Sequence, residues 1–147
     1  MAAESLKKQH NLYFAYGANT NIEDMRYRCP NAEPIGIITL PNYELVFRSV
    51  ADIQFSMGKS VTGVLWAITQ DCEWALDIFE GYPRFYTKNY FDIKYRKKIE
   101  QVMFYTMTDT SETAPPNSYY ESCLRAGYSH WKINQSQLDS AIDLAKS

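Results

Sequence analysis

The chain of 147 residues carries a net charge of −2, and 46% of its residues are hydrophobic while 22% are charged. This length predicts one domain with a core of its own, and the composition is typical of a soluble globular protein. The slight acidity argues against a nucleic-acid-binding protein, and no apolar run approaches the length of a membrane span, so a cytoplasmic protein without nucleic-acid or membrane contacts is expected.

The predicted elements begin after a polar N-terminal segment. Residues 1–11 lack the apolar core of a signal peptide, so they are expected to form a flexible tail, and residues 12–147 are assigned to a single domain. Leu12–Tyr16 is apolar at every position, which predicts a strand buried on both faces. Gly17–Asn21 then forms a turn, and Asn21 is predicted to cap a short helix that ends at the following Arg-Cys-Pro-Asn segment.

The next part of the chain predicts strands that are separated by turns. Ala32–Leu40 and Tyr43–Arg48 are two strand candidates on either side of a Pro-Asn turn, and the polar segment Ala51–Ser60 is expected to be a loop. Val61–Ile68 predicts a further strand. Within that strand, Gly63 indicates either a bulge or a close approach of another backbone.

A helix is predicted to follow, and its ends are marked by residue type. Thr69 or Asp71 is expected to cap its N-terminus, apolar residues repeat at helical spacing, and Gly81 is its natural C-terminal cap. Beyond it, Tyr86–Ile93 and Val102–Met107 predict two paired strands joined across a charged segment.

The C-terminal part predicts a long loop and two helices. The first helix is expected over Tyr119–Ala126, and the second is expected to be capped by Asn134 or Ser136. Taken in order, the strands and short helices predict an α+β fold, a small mixed β-barrel with flanking short helices.

The cysteines and histidines provide little material for a metal site or a disulfide framework. Cys29, Cys72 and Cys123 are far apart in sequence and odd in number, so neither a zinc site nor a disulfide framework is expected. The histidines are His10 in the polar tail and His130, and a Ser–His–Asp or Cys–His site is not predicted around either of them. We therefore expect no metal and no cofactor.

Three segments could carry chemistry, and each also has an ordinary structural explanation. The strand that ends at Gly17 before a helix presents backbone N–H groups that can bind a carboxylate, but a plain turn looks the same. Glu80 ends a helix among bulky side chains, where the helix dipole and desolvation raise a carboxyl pKa towards that of a general acid or base, although most glutamates are simply exposed. The prolines before Tyr119 and Tyr120 hold a loop extended, either as a pocket wall or as a surface crossing.

Together these segments resemble the γ-glutamylcyclotransferase family, which includes the AIG2-like proteins. The matching stretches occur in one order: YFAYGAN at 13–19, GVLWAIT at 63–69, LDIFEG at 76–81, FYTM at 104–107 and APPNSYY at 114–120. The stretch RCPNAEPIGIITLPNYELVFR is also similar to bacterial-type members. The resemblance extends from about Tyr13 to Tyr128.

The resemblance implies an enzyme that converts a γ-glutamyl amine or γ-glutamyl dipeptide into 5-oxoproline and the free amine or amino acid. It places the catalytic glutamate at Glu80 and implies these substrate-binding residues: Tyr13, Tyr16, Gly17, Ala18, Asn19, Tyr86, Tyr105 and Tyr120. The family's usual turn is Tyr-Gly-Ser-Asn, so Ala18 departs from the pattern. If the turn binds through its N–H groups, this alanine costs little; if a serine hydroxyl is needed, affinity or specificity changes.

Several functions are compatible with these residues. The first is a γ-glutamylcyclotransferase-type enzyme whose partner is a small γ-glutamyl substrate, and the second is a non-catalytic small-molecule-binding or regulatory protein on the same fold. The third is an amine-tailoring enzyme that acts by the same chemistry on a γ-glutamyl-protected metabolite. The leaving amine is left open, as is the choice between a monomer and a homodimer.

Overall fold

The computed structural model describes residues 11–147, which form one five-stranded sheet with four α-helices and a short 3-10 turn. Residues 1–10, with His10 and most of the expected tail, lie outside the described residues. The elements are β1 (Asn11–Ala15), the 3-10 turn (Ala18–Thr20), α1 (Ile22–Arg28), β2 (Glu33–Arg48), β3 (Val50–Ile68), α2 (Gln70–Glu80), β4 (Tyr86–Tyr95), β5 (Lys98–Met107), α3 (Ser118–Trp131) and α4 (Ser136–Lys146).

The sheet is mixed, with the strand order β2-β3-β1-β5-β4. The central strand β1 is antiparallel to β3 and parallel to β5, and the other pairs are antiparallel. The α+β fold is therefore confirmed, but the expected closed barrel is wrong, because β2 and β4 remain two separate edges among the described strands. Side chains bridge part of this opening instead: Tyr86 donates to the carbonyl oxygen of Ala51 at 2.7 Å, and the N–H of Met107 donates to Asp52 at 2.9 Å.

The β2–β3 hairpin is longer than predicted. β2 continues through the Pro-Asn dipeptide with a register shift between Pro41 and Tyr43, so the two predicted strands are one. The segment Ala51–Ser60, expected to be a loop, belongs to β3. The polar composition was misleading because Ala51 and Ile53 are buried while the charge of Asp52 is compensated by an ion pair with Arg48 at 2.9 Å.

The predicted buried strand and the first two helices are confirmed in detail. β1 is buried from Leu12 onwards, and it begins one residue earlier than expected, at Asn11. The side chain of Asn21 caps α1 and that of Thr69 caps α2. Gly81 ends α2 with a left-handed φ of 67°, a conformation that glycine adopts without steric cost. None of the helices in residues 11–147 is long and apolar enough to cross a membrane.

The C-terminal helices differ from the prediction at their ends. α3 runs on to Trp131 and is capped by Asn117. α4 begins at Ser136, and the residue in its N-cap position is Gln135, which makes no capping side-chain bond, so the alternative that Ser136 is the cap is wrong. Asn134 accepts a hydrogen bond from the N–H of Ser136 instead.

A disulfide joins Cys29 to Cys72, contrary to the expectation from the spacing of the cysteines. Cys29 follows the last residue of α1 and Cys72 lies in the first turn of α2. The two positions are 43 residues apart in sequence, but the packing of α1 against α2 brings them together. Distance along the chain was therefore a poor guide to distance in space. Cys123 is a free thiol.

Candidate active site

One cavity of about 140 Å³ collects every residue that the sequence predicted for the site. The predicted residues that line it are Tyr13, Tyr16, Gly17, Ala18, Asn19, Glu80, Tyr86, Tyr105 and Tyr120. Three further residues line it that were not among the predicted site residues: Val50, Ala51 and Phe79, the last of which precedes Glu80 and is one of its bulky neighbours. Ala51 belongs to the segment that was expected to be a loop, and Val50 lies directly before it. The roles of these residues stay predictions, but their proximity is a property of the fold.

Glu80 has the environment of a general acid or base. It is the last residue of α2, and the left-handed turn at Gly81 ends the helix so that the side chain lines the cavity. The side chain is half-buried, and this desolvation raises its pKa from 4.5 to about 7, while the positive charge of Arg28 opposes the rise. At neutral pH both the acid and the carboxylate are therefore populated, which suits a group that first accepts and then donates a proton.

The turn after β1 lines the cavity and has backbone N–H groups that are free of protein acceptors. Thr20 closes the turn, since both its N–H and its hydroxyl donate to the carbonyl oxygen of Gly17, at 3.0 and 2.7 Å. Within residues 11–147, the N–H groups of Gly17, Ala18 and Asn19 donate to no protein acceptor. A Cβ atom at residue 17 would lie 2.9 Å from the methyl group of Ala51, so a glycine is needed for the turn to approach the hairpin.

The cavity tyrosines fall into two groups according to where their hydroxyl protons go. Tyr16 donates to the carbonyl oxygen of Tyr105 at 2.6 Å, Tyr86 donates to that of Ala51, and Tyr105 donates to Asp77 at 2.6 Å. Burial raises the pKa of all three phenols well above the ordinary value, so they stay neutral. These three tyrosines use their protons to hold the cavity walls together.

Tyr13 and Tyr120 accept hydrogen bonds from the protein instead. The hydroxyl oxygen of Tyr13 accepts from the amide of Asn19 at 2.9 Å, and that of Tyr120 accepts from the N–H of Ala51 at 3.0 Å. Burial raises the pKa of Tyr120 to about 12 and that of Tyr13 further, so each keeps its proton. Neither donates to a protein acceptor in residues 11–147, and a phenol has one proton to donate, so both are available as donors to a ligand.

The sequence match agrees with this constellation. Residues 13–124 match the sequence model of the family described as Gamma-glutamyl cyclotransferase, AIG2-like, and this range contains Glu80, the turn and all the cavity tyrosines. The chain belongs to this family. No curated protein matches the chain significantly in sequence.

Solved structures of similar fold agree with membership of the γ-glutamyl cyclotransferase family. An uncharacterized protein from Homo sapiens is 25% identical, with a TM-score of 0.79 over 95% of this chain and 99% of that one. A structure named Gamma-glutamyl cyclotransferase is also 25% identical, with a TM-score of 0.76 over 94% of this chain and 87% of that one. YkqA from Bacillus subtilis is 18% identical with a TM-score of 0.77, covers 98% of this chain and 57% of its own, and shows similarity of fold alone.

Arg28 is a residue of this family member that sequence reasoning missed. In the sequence, Arg28 only begins the segment that is expected to end the first helix. In the structure its guanidinium lies 3.6 Å from the ring centroid of Phe79, which lines the cavity. Its Nη1 donates to Asn19 Oδ1 at 2.7 Å. The signal that could have found it is a cation in the last turn of the short helix that follows a candidate anion-binding loop.

Groups for metal chemistry or a histidine-based mechanism are not found at this site. In the part of the chain that the structure describes, no three His, Cys, Asp or Glu side chains are placed to hold a metal ion. His130 is exposed beside Trp131 and does not line the cavity. The expectation that this family member uses no metal and no cofactor stays a prediction.

Proposed function

We propose that the protein is a γ-glutamylcyclotransferase-type enzyme that closes a γ-glutamyl amine or γ-glutamyl amino acid into 5-oxoproline and releases the amine. The observation that carries this proposal is the half-buried Glu80 with a pKa near 7, in a cavity that also holds free backbone N–H groups. Membership of the family supports the reaction class.

The reaction is intramolecular and needs proton transfers at two nitrogens. The substrate's α-amino nitrogen attacks its own γ-carbonyl carbon, so a new C–N bond closes the five-membered ring and the old amide C–N bond breaks. Glu80 as carboxylate takes a proton from the attacking nitrogen, and Glu80 as acid returns it to the leaving nitrogen. Holding the flexible glutamyl chain curled for this attack contributes roughly 7–11 kcal/mol in well-oriented intramolecular reactions.

The turn and the two donating tyrosines supply the remaining needs of the reaction. The N–H groups of Gly17, Ala18 and Asn19 are suited to the α-carboxylate or to the oxyanion that develops at the γ-carbon. These are backbone donors, so alanine at residue 18 leaves them in place. The hydroxyls of Tyr13 and Tyr120 add two neutral donors to the same cavity.

The decisive experiment replaces the proposed acid and base. Glu80→Gln keeps the size of the side chain but cannot accept the proton, so 5-oxoproline release should fall about 100- to 10,000-fold while the fold and ligand binding persist. Glu23→Gln changes an exposed glutamate of α1 and is the matched control, with unchanged activity expected. Full activity of Glu80→Gln would show that the assignment is wrong.

A non-catalytic binding protein is the second candidate, and the observation that favours it is Ala18 where the family's turn usually has serine. Incubation with a panel of γ-glutamyl amino acids and γ-glutamyl amines, followed by mass spectrometry for 5-oxoproline, separates the two candidates. Binding of panel members without turnover would favour the second. The leaving groups that are released identify the substrate class, including a γ-glutamyl-protected metabolite.

A further inference from the structure

A chain of hydrogen bonds runs from Arg28 to the cavity. Arg28 Nη1 donates to Asn19 Oδ1 at 2.7 Å, and Asn19 Nδ2 donates to the hydroxyl oxygen of Tyr13 at 2.9 Å. Asn19 and Tyr13 are only 2% and 3% exposed, so water does not compete for these bonds. Tyr13 and Asn19 line the cavity, whereas Arg28 does not.

The direction of every bond in this chain is set by Arg28. A guanidinium donates hydrogen bonds and cannot accept them, so it requires the oxygen of the Asn19 amide to face it. The amide nitrogen must then face Tyr13. The guanidinium is stacked 3.6 Å from the ring centroid of Phe79, which holds it in place.

The orientation of Asn19 in turn decides what Tyr13 can do. Because the hydroxyl oxygen of Tyr13 accepts from Asn19, its single proton points elsewhere, and within residues 11–147 no protein group receives it. An amide turned the other way would present an oxygen to Tyr13 and consume that proton. Arg28 therefore keeps one tyrosine of the cavity in the donor state.

We propose that Arg28 is a positioning residue that acts through Asn19 to make Tyr13 a hydrogen-bond donor to the γ-carbonyl oxygen of the substrate. This inference rests on the proposed function. It separates Tyr13 from Tyr16, Tyr86 and Tyr105, whose protons go to the protein, and it gives Arg28 a role in a reaction that it does not touch.

The sharpest test is Asn19→Asp. The new carboxylate keeps an oxygen towards Arg28 and gains an ion pair. Its second oxygen replaces the amide nitrogen that donated to Tyr13, and this oxygen accepts the hydroxyl proton of Tyr13 instead. The maximal kcat over the pH profile should fall about 100- to 1,000-fold, the usual effect of losing one donor to a developing oxyanion, while the melting temperature is kept or raised. A purely structural role of Asn19 predicts no such loss. Asn89→Asp, which adds the same charge beside Thr106, should keep full activity.

A double-mutant cycle distinguishes the loss of the donor from an effect of the added charge. Tyr13→Phe removes the hydroxyl and should lower kcat by the same factor as Asn19→Asp. The double variant Asn19→Asp/Tyr13→Phe should show no further loss, because both changes remove one donor. Additive losses would overturn the inference, since a charge effect of the carboxylate persists without the hydroxyl.

Arg28 itself is tested by a pair of variants. Arg28→Met removes the group that orients the amide, so kcat should fall severalfold; Arg28→Lys should recover part of it, because an ammonium also only donates. Equal activity of wild type, Asn19→Asp and Arg28→Met would overturn the inference and leave the proposed function intact. A wild-type protein that neither releases nor binds 5-oxoproline would overturn the proposed function and the inference with it.

Discussion

The position of Glu80 in the fold gives an ordinary glutamate the pKa of a general acid or base. Its pKa rises to about 7 because the side chain is half-buried beside neutral tyrosines, and the charge that opposes the rise belongs to Arg28. The same burial makes the ionised carboxylate a cost to folding. A pKa raised from 4.5 to about 7 corresponds to as much as about 3 kcal/mol, since each pKa unit is worth about 1.4 kcal/mol.

This cost predicts that Glu80→Gln stabilises the protein at alkaline pH. Below about pH 4.5 the carboxyl is protonated in both the folded and the unfolded state, so the substitution should change the free energy of unfolding little. Between about pH 4.5 and 7 the wild type loses stability, because the unfolded state ionises freely while the folded state ionises a desolvated group only near pH 7; the variant has no such loss. At about pH 8.5, urea unfolding should show a gain of up to about 3 kcal/mol.

The control for this prediction is Glu23→Gln on the exposed surface of α1. Its free energy of unfolding should follow that of the wild type at both pH values. A Glu80→Gln variant that is equally stabilised at pH 4 and pH 8.5 would show that packing, and not the charge, is responsible.

At the scale of elements, the sequence was informative wherever a local rule decides the structure. The buried strand β1, the caps at Asn21 and Thr69, and the glycine that ends α2 follow from local propensities, and the close backbone approach expected at Gly63 is confirmed against the carbonyl of Ala15. The extent of the hairpin was not predictable in this way, because residues 51–60 pair with β2 and Asp52 accepts from Met107, which is 55 residues away along the chain.

The residues of the candidate site also fall into those that local motifs predicted and those that only tertiary packing brings in. The residues expected to form it come together in one cavity, because they lie at the ends of elements that the motifs identified. Arg28 and the hairpin tip at Val50 were missed, since only the packing of α1 and β3 around the turn brings them to the site. Local rules thus identify the ends of elements, and tertiary contacts decide what surrounds them.

The disulfide between α1 and α2 is expected to be an important stabilising link between two elements. In the loop-closure model, a crosslink across 43 residues lowers the conformational entropy of the unfolded chain, which raises the free energy of unfolding by about 4 kcal/mol. Cys72→Ser should therefore lower the free energy of unfolding by about 2–4 kcal/mol in urea titrations without reductant. Adding dithiothreitol should destabilise the wild type and leave the variant unchanged. Cys123→Ser is the control, and an equal loss there would contradict the prediction.

At the scale of the whole molecule, the cavity exists because the open sheet is bridged at one place. The far end of the β2–β3 hairpin reaches β4, β5 and α3. There the backbone of Ala51 makes two hydrogen bonds: its carbonyl oxygen accepts from Tyr86 and its N–H donates to Tyr120. Asp52 connects the next residue to the end of β5 through the N–H of Met107. The wall formed by Val50 and Ala51 is thus fixed to β4, β5 and α3 by side chains, while a backbone bridge to Ala114 holds the adjoining Arg48 and Ser49.

Asp52 is the residue on which this bridging most depends. Its carboxylate is buried, accepts from Met107 through one oxygen, and pairs with Arg48 through the other at 2.9 Å. Asp52→Ala leaves the buried guanidinium of Arg48 without its counter-charge, so urea unfolding should show a loss of about 3–5 kcal/mol. The free hairpin tip should also raise KM for a γ-glutamyl substrate more than it lowers kcat, because Glu80 lies on α2 and keeps its position.

The matched control is Asp139→Ala, which breaks an ion pair with Arg125 of similar length, 2.8 Å, but at the exposed start of α4. Its cost should stay within about 1 kcal/mol because solvent screens exposed pairs. Asp52→Asn, which keeps the shape and part of the hydrogen bonding, provides a folded variant for kinetics should Asp52→Ala unfold. If both Asp52 variants kept the wild-type KM, the prediction would be wrong, and Tyr86, Tyr120 and the backbone bridge to Ala114 would be enough to hold the hairpin tip.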